Sequence, residues 1–319
     1  MSHTFLVLGE ALTDAVVRDG QTVSTPGGSP MNVAVGLGRL GHDVVLGARW
    51  GDDQPGASLL AHVTESGVHA IAHAGEAPRT SRAEATVGQD GAAHYDFDLL
   101  WDLTPEMVPP GNYHHVHAGS IGATLEPGAS AVVEIMTRER RSGASVSYDP
   151  NIRPAIMGTP ATVLGRIEEL IARSDIVKAS DDDIVWLYPG VTRDEVIVHW
   201  QSLGPSLVII TQGGEGVTAA TGRHRIVLAA TATTIVDTIG AGDSFMSGLL
   251  SALAERHALG SGADSGAGKG AGNGAGTALA QMSKKDLSEV IGFALECAAI
   301  TVSRAGANPP TRIELGPER

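Results

Sequence analysis

Cysteine is almost missing from this chain. Cys297 stands alone, so no internal disulfide can form and the disulfide-stapled secreted class is excluded. A reducing cytoplasm is the expected compartment, and buried packing is the expected role of that one thiol. Aromatic residues make up only 4% of the chain. The core must therefore be built from Ala, Val, Leu and Ile, which suits helices packed on a buried parallel sheet. Positive charge is scarce as well: 22 Lys and Arg stand against 36 Asp and Glu, for a net charge of −14. Such a surface repels nucleic acid and anionic lipid, so neither is an expected partner. No apolar run reaches the length of a membrane span. The start, Met1 to Glu10, has neither the basic region nor the apolar length of a signal peptide.

What the chain has in quantity is glycine, 41 of its 319 residues. Part of that excess lies in Gly260–Gly276, a run of Gly, Ala and Ser that cannot bury enough to offset its ordering entropy. It is expected to be a flexible surface loop. Around it the chain reads as one α/β domain. Phe5–Leu8 and Val44–Leu46 are strand candidates, and Asn32–Leu40 and Ala57–Val63 are helical. Over residues 80–99, apolar and polar residues alternate on either side of Asp90-Gly91, which predicts an antiparallel hairpin with one wet face. From His115 onward strands alternate with helices: His115–Ala118, Ser145–Tyr148, Ile176–Val177 and Leu207–Ile210. This order argues a parallel sheet with crossovers. Ser283-Lys-Lys-Asp286 opens the last long helix with a capping pattern.

The most informative stretch is Asp237-Thr-Ile-Gly-Ala-Gly-Asp-Ser-Phe245. Gly240, Ala241 and Gly242 let backbone N–H groups converge without side chains in the way. A helix follows, with Phe245, Met246, Leu249, Leu250 and Leu253 on one face. Its free N–H groups and dipole complete an anion hole. A carboxylate beside an anion hole needs a reason, and general-base work supplies one. Asp243 could take a proton from a hydroxyl while the amides hold a phosphoryl group in transfer.

Three other patterns carry less. Gly36-Leu-Gly-Arg-Leu-Gly41 fits the dinucleotide-binding spacing, but it ends a helix where that motif must open one. Gly268-Lys269 lacks the Ser or Thr and the preceding strand of a P-loop. His114, His115 and His117 have no Cys or carboxylate nearby in sequence and read as a packed or solvated strand end rather than a metal site.

The Asp237–Phe245 run resembles the C-terminal signature of the ribokinase-like (PfkB) carbohydrate kinases. Gly27-Gly-Ser-Pro-Met-Asn-Val-Ala-Val-Gly-Leu-Gly-Arg-Leu-Gly41 resembles their N-terminal signature. Two long motifs in the expected order are far more specific than either alone, and the resemblance covers residues 5 to 312. It implies a three-layer α/β/α sandwich with a mainly parallel central sheet and a small β-lid, built from residues 10–30 and 80–100. It also implies an ATP-dependent sugar kinase. Asp243 would act as base on the hole formed by Gly240, Ala241 and Gly242. Asp14, Gly27, Gly28 and Asn32 match the sugar-binding positions.

Further matches follow the later strands. Asp149-Pro-Asn-Ile-Arg-Pro154 resembles a run of fructokinases and of the related 2-keto-3-deoxygluconate kinases; in the latter, the residue that Arg153 matches can meet a substrate carboxylate. Thr211-Gln-Gly-Gly-Glu-Gly216 resembles the nucleotide loop, assigning Thr211, Gly213 and Gly216 to nucleotide, with Lys178 beside them. Ser180-x-x-Asp183 stands where relatives carry Asn-x-x-Glu acting through water on Mg²⁺. Asp183 is the matching residue, one methylene shorter, and an acidic helix start is its equal alternative. Ser303–Pro310 resembles the fructokinase ending. By that match Asp237, Ile239, Thr301 and Gly306 would hold a monovalent cation, with K⁺ expected. A homodimer through the lid is the expected self-partner. Fructose is the expected sugar, with 2-keto-3-deoxygluconate, ribose and nucleosides as alternatives. A catalytically silent sugar sensor is the rival from another class.

Overall fold

Runs of β-branched and leucine residues give the central sheet its strands. The computed structural model describes residues 3–18, 21–71, 76–87, 93–262 and 273–316. Its strands are β1 (Thr4–Leu8), β2 (Leu12–Arg18), β3 (Gln21–Gly27), β4 (Asp43–Gly47), β5 (Val68–Ile71), β6 (Ser81–Val87), β7 (Ala93–Asp98), β8 (His115–Gly119), β9 (Ser145–Asp149), β10 (Ile176–Ser180), β11 (Leu207–Thr211), β12 (Val217–Thr221) and β13 (Arg225–Leu228). Nine of them form one sheet in the order β13-β12-β11-β10-β9-β8-β1-β4-β5. Every pairing from β11 to β5 is parallel. β12 and β13 continue the edge antiparallel.

Alternation along β1 shows why both faces are covered. Phe5 and Val7 pack with the helices Ser29–Arg39, Ala241–Glu255 and Lys284–Val302. Leu6 and Leu8 pack on the other side with Gly128–Arg141, Pro160–Ala172 and Arg193–Leu203. Strands buried on both faces cannot alternate apolar with polar, and β1 accordingly reads Phe-Leu-Val-Leu. This is the three-layer α/β/α sandwich expected from the resemblance.

The remaining strands form a second sheet, β3-β2-β6-β7. β6 and β7 pair antiparallel, as the alternation in residues 80–99 predicts. The turn at Asp90-Gly91 lies outside the described residues. β2 pairs antiparallel with β3 and parallel with β6, so the lid joins two hairpins side by side. One face of β3 is open to solvent, with Val23 66% exposed.

Two expectations about helices need correction. The first helix starts at Ser29, three residues before Asn32, because Gly28 turns the chain at φ 112° and Pro30 already holds a helical φ. The second spans Gln54–Glu65, capped by Asp53, whose side chain accepts from Gly56 N. The reading of Gly260–Gly276 as a loop is also too broad. Gly260 N donates to Ser145 Oγ at 2.9 Å. At the other end Asn273–Gln281 is a helix, with Ala275 and Leu279 buried. Low complexity conceals that helix because its packed side, Ala275, Ala278 and Leu279, is spelled mostly in alanine. Residues 263–272, including Gly268-Lys269, lie outside the described residues. The last helix begins as expected, with Ser283 Oγ accepting from Asp286 N.

Gly36 and Gly38 sit inside the helix Ser29–Arg39, and Gly41 ends it at φ 88°. That geometry agrees with a helix end and not with a dinucleotide turn. His115 and His117 are fully buried on β8 and bonded to Ser145 and Ser147. No cluster of three or more metal-ligating side chains occurs among the described residues.

Candidate active site

The C-terminal ends of the parallel strands and the underside of the lid enclose a cleft of about 570 Å³. Ligands bind at this edge of α/β sheets because the strands end there and the following turns expose their amides. Asp14, Gly28, Asn32, Arg153, Lys178, Ile239, Gly240, Ala241, Gly242 and Asp243 all line it. Residues separated by up to 229 positions in sequence thus meet in one cavity.

Asp243 lies in the first turn of the helix Ala241–Glu255, preceded by Gly240 in the left-handed conformation at φ 75°. A side chain at Gly240 would strike Ala307 at 2.6 Å, so glycine is required both for the turn and for the close approach of the C-terminal segment. Asp243 is buried. Ser29 Oγ donates to its Oδ1 at 2.6 Å and Asn32 Nδ2 to its Oδ2 at 2.8 Å. These two bonds fix the carboxylate's orientation. They also occupy Asn32, which lines the cleft: its amide N–H is given to Asp243, and its Oδ1 has no partner among the described residues.

Lys178 is buried and pairs with Asp149 at 2.8 Å. Burial alone would lower the ammonium pKa, but Asp149, Asp183 and Asp243 outweigh it and raise it. Burial pushes Asp149 up to about 6, against the pull of Lys178. A methyl group added to Gly242 would lie 3.1 Å from Lys178 Nζ. The Gly240–Gly242 turn therefore has a cation packed against it, which a net charge of −14 makes useful to any phosphate ligand.

The lid end differs. Asp14 on β2 faces open space in the cleft, and the surrounding walls raise its pKa, with Arg153 opposing. A side chain at Gly27 would overlap Asp14 Oδ2 at 2.0 Å, and one at Gly28 would strike the Glu10 carbonyl at 2.4 Å. The two glycines thus leave room for Asp14 and for the β1 terminus. Arg153 is exposed and its Nη1 bonds only to Asn151 and to the Ile152 carbonyl.

One residue of the cleft was not legible as functional. Glu10, at the end of β1, is buried beside Asp14. It accepts from Gly122 N at 2.8 Å, and burial lifts its pKa to about 7. A carboxylate placed straight after a buried strand was the available signal.

Asp183 is buried in a capping box at the start of the helix Asp181–Leu187. Its Oδ2 accepts from Ser180 N and Oγ, and its Oδ1 from Ile152 N. Thr211 ends β11, Gly213 and Gly216 follow it, and none of the three lines the cleft. Thr211 Oγ1 donates to the Ala179 carbonyl, and Gly216 leaves room for the Leu228 carbonyl. Asp237 accepts from Ile239 N and Gly306 N, at 3.0 and 2.9 Å. Ile239 and Gly306 therefore meet at one carboxylate, with Val302 bonded to Asp237 N beside Thr301.

The sequence profile of the pfkB family carbohydrate kinases matches residues 4–314. A fructokinase from Rhizobium leguminosarum bv. trifolii is 33% identical over 259 residues, covering 78% of this chain and 79% of that protein. A fructokinase from Klebsiella pneumoniae is 32% identical over 269 residues, covering 80% and 85%. Among solved structures, an aminoimidazole riboside kinase from Salmonella enterica, complexed with aminoimidazole riboside and an ATP analogue, superposes with a TM-score of 0.78 at 26% identity over 96% of this chain and 95% of its own. A fructokinase double mutant from Vibrio cholerae O395, in fructose-, ADP- and potassium-bound form, shares the fold with a TM-score of 0.77 at 22% identity, over 96% and 94%. The chain belongs to the pfkB family of carbohydrate kinases.

Proposed function

From that membership we propose that the chain transfers the γ-phosphoryl group of ATP to a primary hydroxyl of fructose. The observation that carries the reading is Asp243, a buried carboxylate aimed by Ser29 and Asn32 at the mouth of the Gly240–Gly242 turn. In this reading Asp243 accepts the hydroxyl proton as the oxygen attacks phosphorus. The amides of Gly240, Ala241 and Gly242, with Lys178, stabilise the charge on the transferring group. Asp14 holds sugar hydroxyls below the lid, and Gly27 and Gly28 keep that space clear. Thr211, Gly213 and Gly216 are assigned to the nucleotide farther along the sheet edge.

Mg²⁺ keeps several waters and takes few protein ligands beside phosphates, which fits a chain whose described residues form no ligand cluster. Asp183 would meet it only through water, and the ion would neutralise phosphate charge. By the same resemblance Asp237, Ile239, Thr301 and Gly306 are assigned to a monovalent ion, with K⁺ proposed; it would brace the turn that leads to Gly240. A homodimer through the lid belongs to the same reading and would use the open face of β3.

Fructose is favoured by the names of the relatives at about 30% identity. Arg153 supports a second reading. It lines the cleft with no carboxylate bonded to it, so an acid sugar such as 2-keto-3-deoxygluconate would find a cation there. A coupled ADP-release assay across fructose, ribose, nucleosides and 2-keto-3-deoxygluconate tests the assignment. The expected result is the highest kcat/KM for fructose, and any of the others exceeding it overturns that choice. ADP release from none of them removes the kinase reading and leaves the silent sensor.

A further inference from the structure

The middle strands of the sheet break their own rule on one face. On the side of Phe5, Val7 and Ile176, strands β8, β9 and β10 carry His115, His117, Ser145, Ser147, Asp149 and Lys178. All six are buried. Polar groups in such a layer are costly unless bonded to one another. Here they are. His115 Nδ1 bonds Ser145 Oγ and its Nε2 bonds Ser147 Oγ, both at 2.7 Å. Ser147 Oγ also meets His117 Nδ1 at 2.9 Å. Burial, and then the neighbouring charges, hold both imidazoles neutral. The array ends at Lys178, whose positive charge is felt by His117.

Asp149 is what ties that ammonium down. Its Oδ2 lies 2.8 Å from Lys178 Nζ, and both side chains are at most 5% exposed. Its own backbone is fixed too: the carbonyl accepts from Ser120 N at 2.9 Å and fills the space that a side chain at Gly119 would need. A lysine side chain is flexible, so its charge acts at one point only if something holds it there. Resting on the phosphoryl-transfer reading, we propose that Asp149 is a positioning residue of this kinase: it fixes the Lys178 ammonium against Gly242, beneath the turn that receives the phosphoryl group. The neutral His115–Ser147–His117 array forms the wall behind it and adds no competing cation. Besides Lys178, the charges that Asp149 meets are Asp183 and Asp243.

The test is a double-mutant cycle on the full chain: Asp149→Asn, Lys178→Met and the pair together, each measured for kcat, sugar KM and melting temperature. Asp149→Asn is expected to lower kcat at least ~30-fold, as loss of a preorganised charge does, with sugar KM changed less than about threefold. The double variant should be no slower than Lys178→Met. It should melt above Asp149→Asn, because no unpaired buried ammonium remains. If Asp149→Asn does not fold, the comparison of Lys178→Met with the double variant still decides: equal kcat supports the role, and a further ~10-fold loss overturns it. An Asp149→Asn enzyme keeping more than a third of wild-type kcat also overturns it, as does a double variant that regains kcat together with melting temperature. Those outcomes leave the kinase reading standing. A wild-type chain that releases no ADP with any sugar ends both.

Discussion

The two ends of the cleft are built on opposite plans. At the end proposed to receive the phosphoryl group, Asp243, Lys178 and Asp149 are buried and sit on a helix start or on central strands. Each is already held by a named partner. At the end proposed for the sugar, Asp14 and Arg153 are exposed, one on a lid strand and the other in a loop, and among the described residues Arg153 bonds only to its own neighbours. The difference follows from what each end must do. Stabilising charge in a transition state requires groups that do not reorganise. Admitting and releasing a substrate requires groups left free to meet it. A family that shares its chemistry and varies its sugars would keep the first end fixed and alter the second.

The largest expected effect comes from breaking the fixed end. Asp243→Asn keeps the shape and an acceptor for Asn32, with Ser29 Oγ able to turn and accept from the new amide, but removes the proposed base. Turnover should fall about 10²–10⁴-fold, with sugar KM and melting temperature little changed. Steady-state kinetics beside a thermal melt checks both, and retention of more than a tenth of wild-type turnover would sink the base assignment. Asp14→Asn strikes the open end. A hydrogen bond to a charged group contributes about 1.5–3 kcal/mol, so kcat/KM for the sugar should fall roughly 10- to 100-fold, mostly through KM. A loss confined to kcat would erase the contrast between the ends.

Much of the fixed end could be read from sequence. Three small residues ahead of Asp243 predict a tight turn into a helix, and the chain does turn at Gly240 and start the helix at Ala241, with Asp243 in its first turn. Alternation of period two located the β6–β7 hairpin. What could not be read is the pairing. Asp243 meets Ser29 and Asn32 across 214 and 211 residues, and Asp149 meets Lys178 only because β9 and β10 are neighbours in register. Local pattern carries no information about strand order. Asp183 shows the converse: its position in the sequence suggested a metal, while its bonds in the structure are those of a helix cap.

Glu10 tests the boundary between the ends, because it is buried like the first and lies beside Asp14 in the second. Its folded-state pKa is raised from 4.5 to about 7 by burial. The folded chain then binds that proton more tightly than the unfolded chain. The stabilisation is complete below about 4.5 and is lost as pH rises through about 7. Glu10→Gln keeps an acceptor for Gly122 N and cannot ionise. Its melting temperature relative to wild type should therefore climb by about 2–4 °C between pH 5 and pH 8. A constant difference across that range would show that Glu10 does not titrate there, and would place it with the fixed end.

The smallest effect is expected in a segment that belongs to neither end. Packing runs up to Gly260, whose N–H is bonded to Ser145, and resumes in the helix Asn273–Gln281 with Ala275 and Leu279. Between those anchors, residues 263–272 are Gly, Ala, Ser, Asp and Lys, a composition with almost nothing to bury. If the segment serves only as a connection, its contribution depends on its length, and only weakly even then. The order of its residues should not matter. Shuffling residues 263–272 without changing their composition should leave turnover within twofold and the melting temperature within about 2 °C, less than a 1 kcal/mol change would produce. The shuffle leaves both anchors intact, which a deletion reaching Asn273–Gly276 would not, since that would cut into the helix carrying Ala275. A tenfold loss of turnover, or a melt lowered by more than about 4 °C, would mean that particular side chains between the anchors make contacts the fold or the cleft depends on.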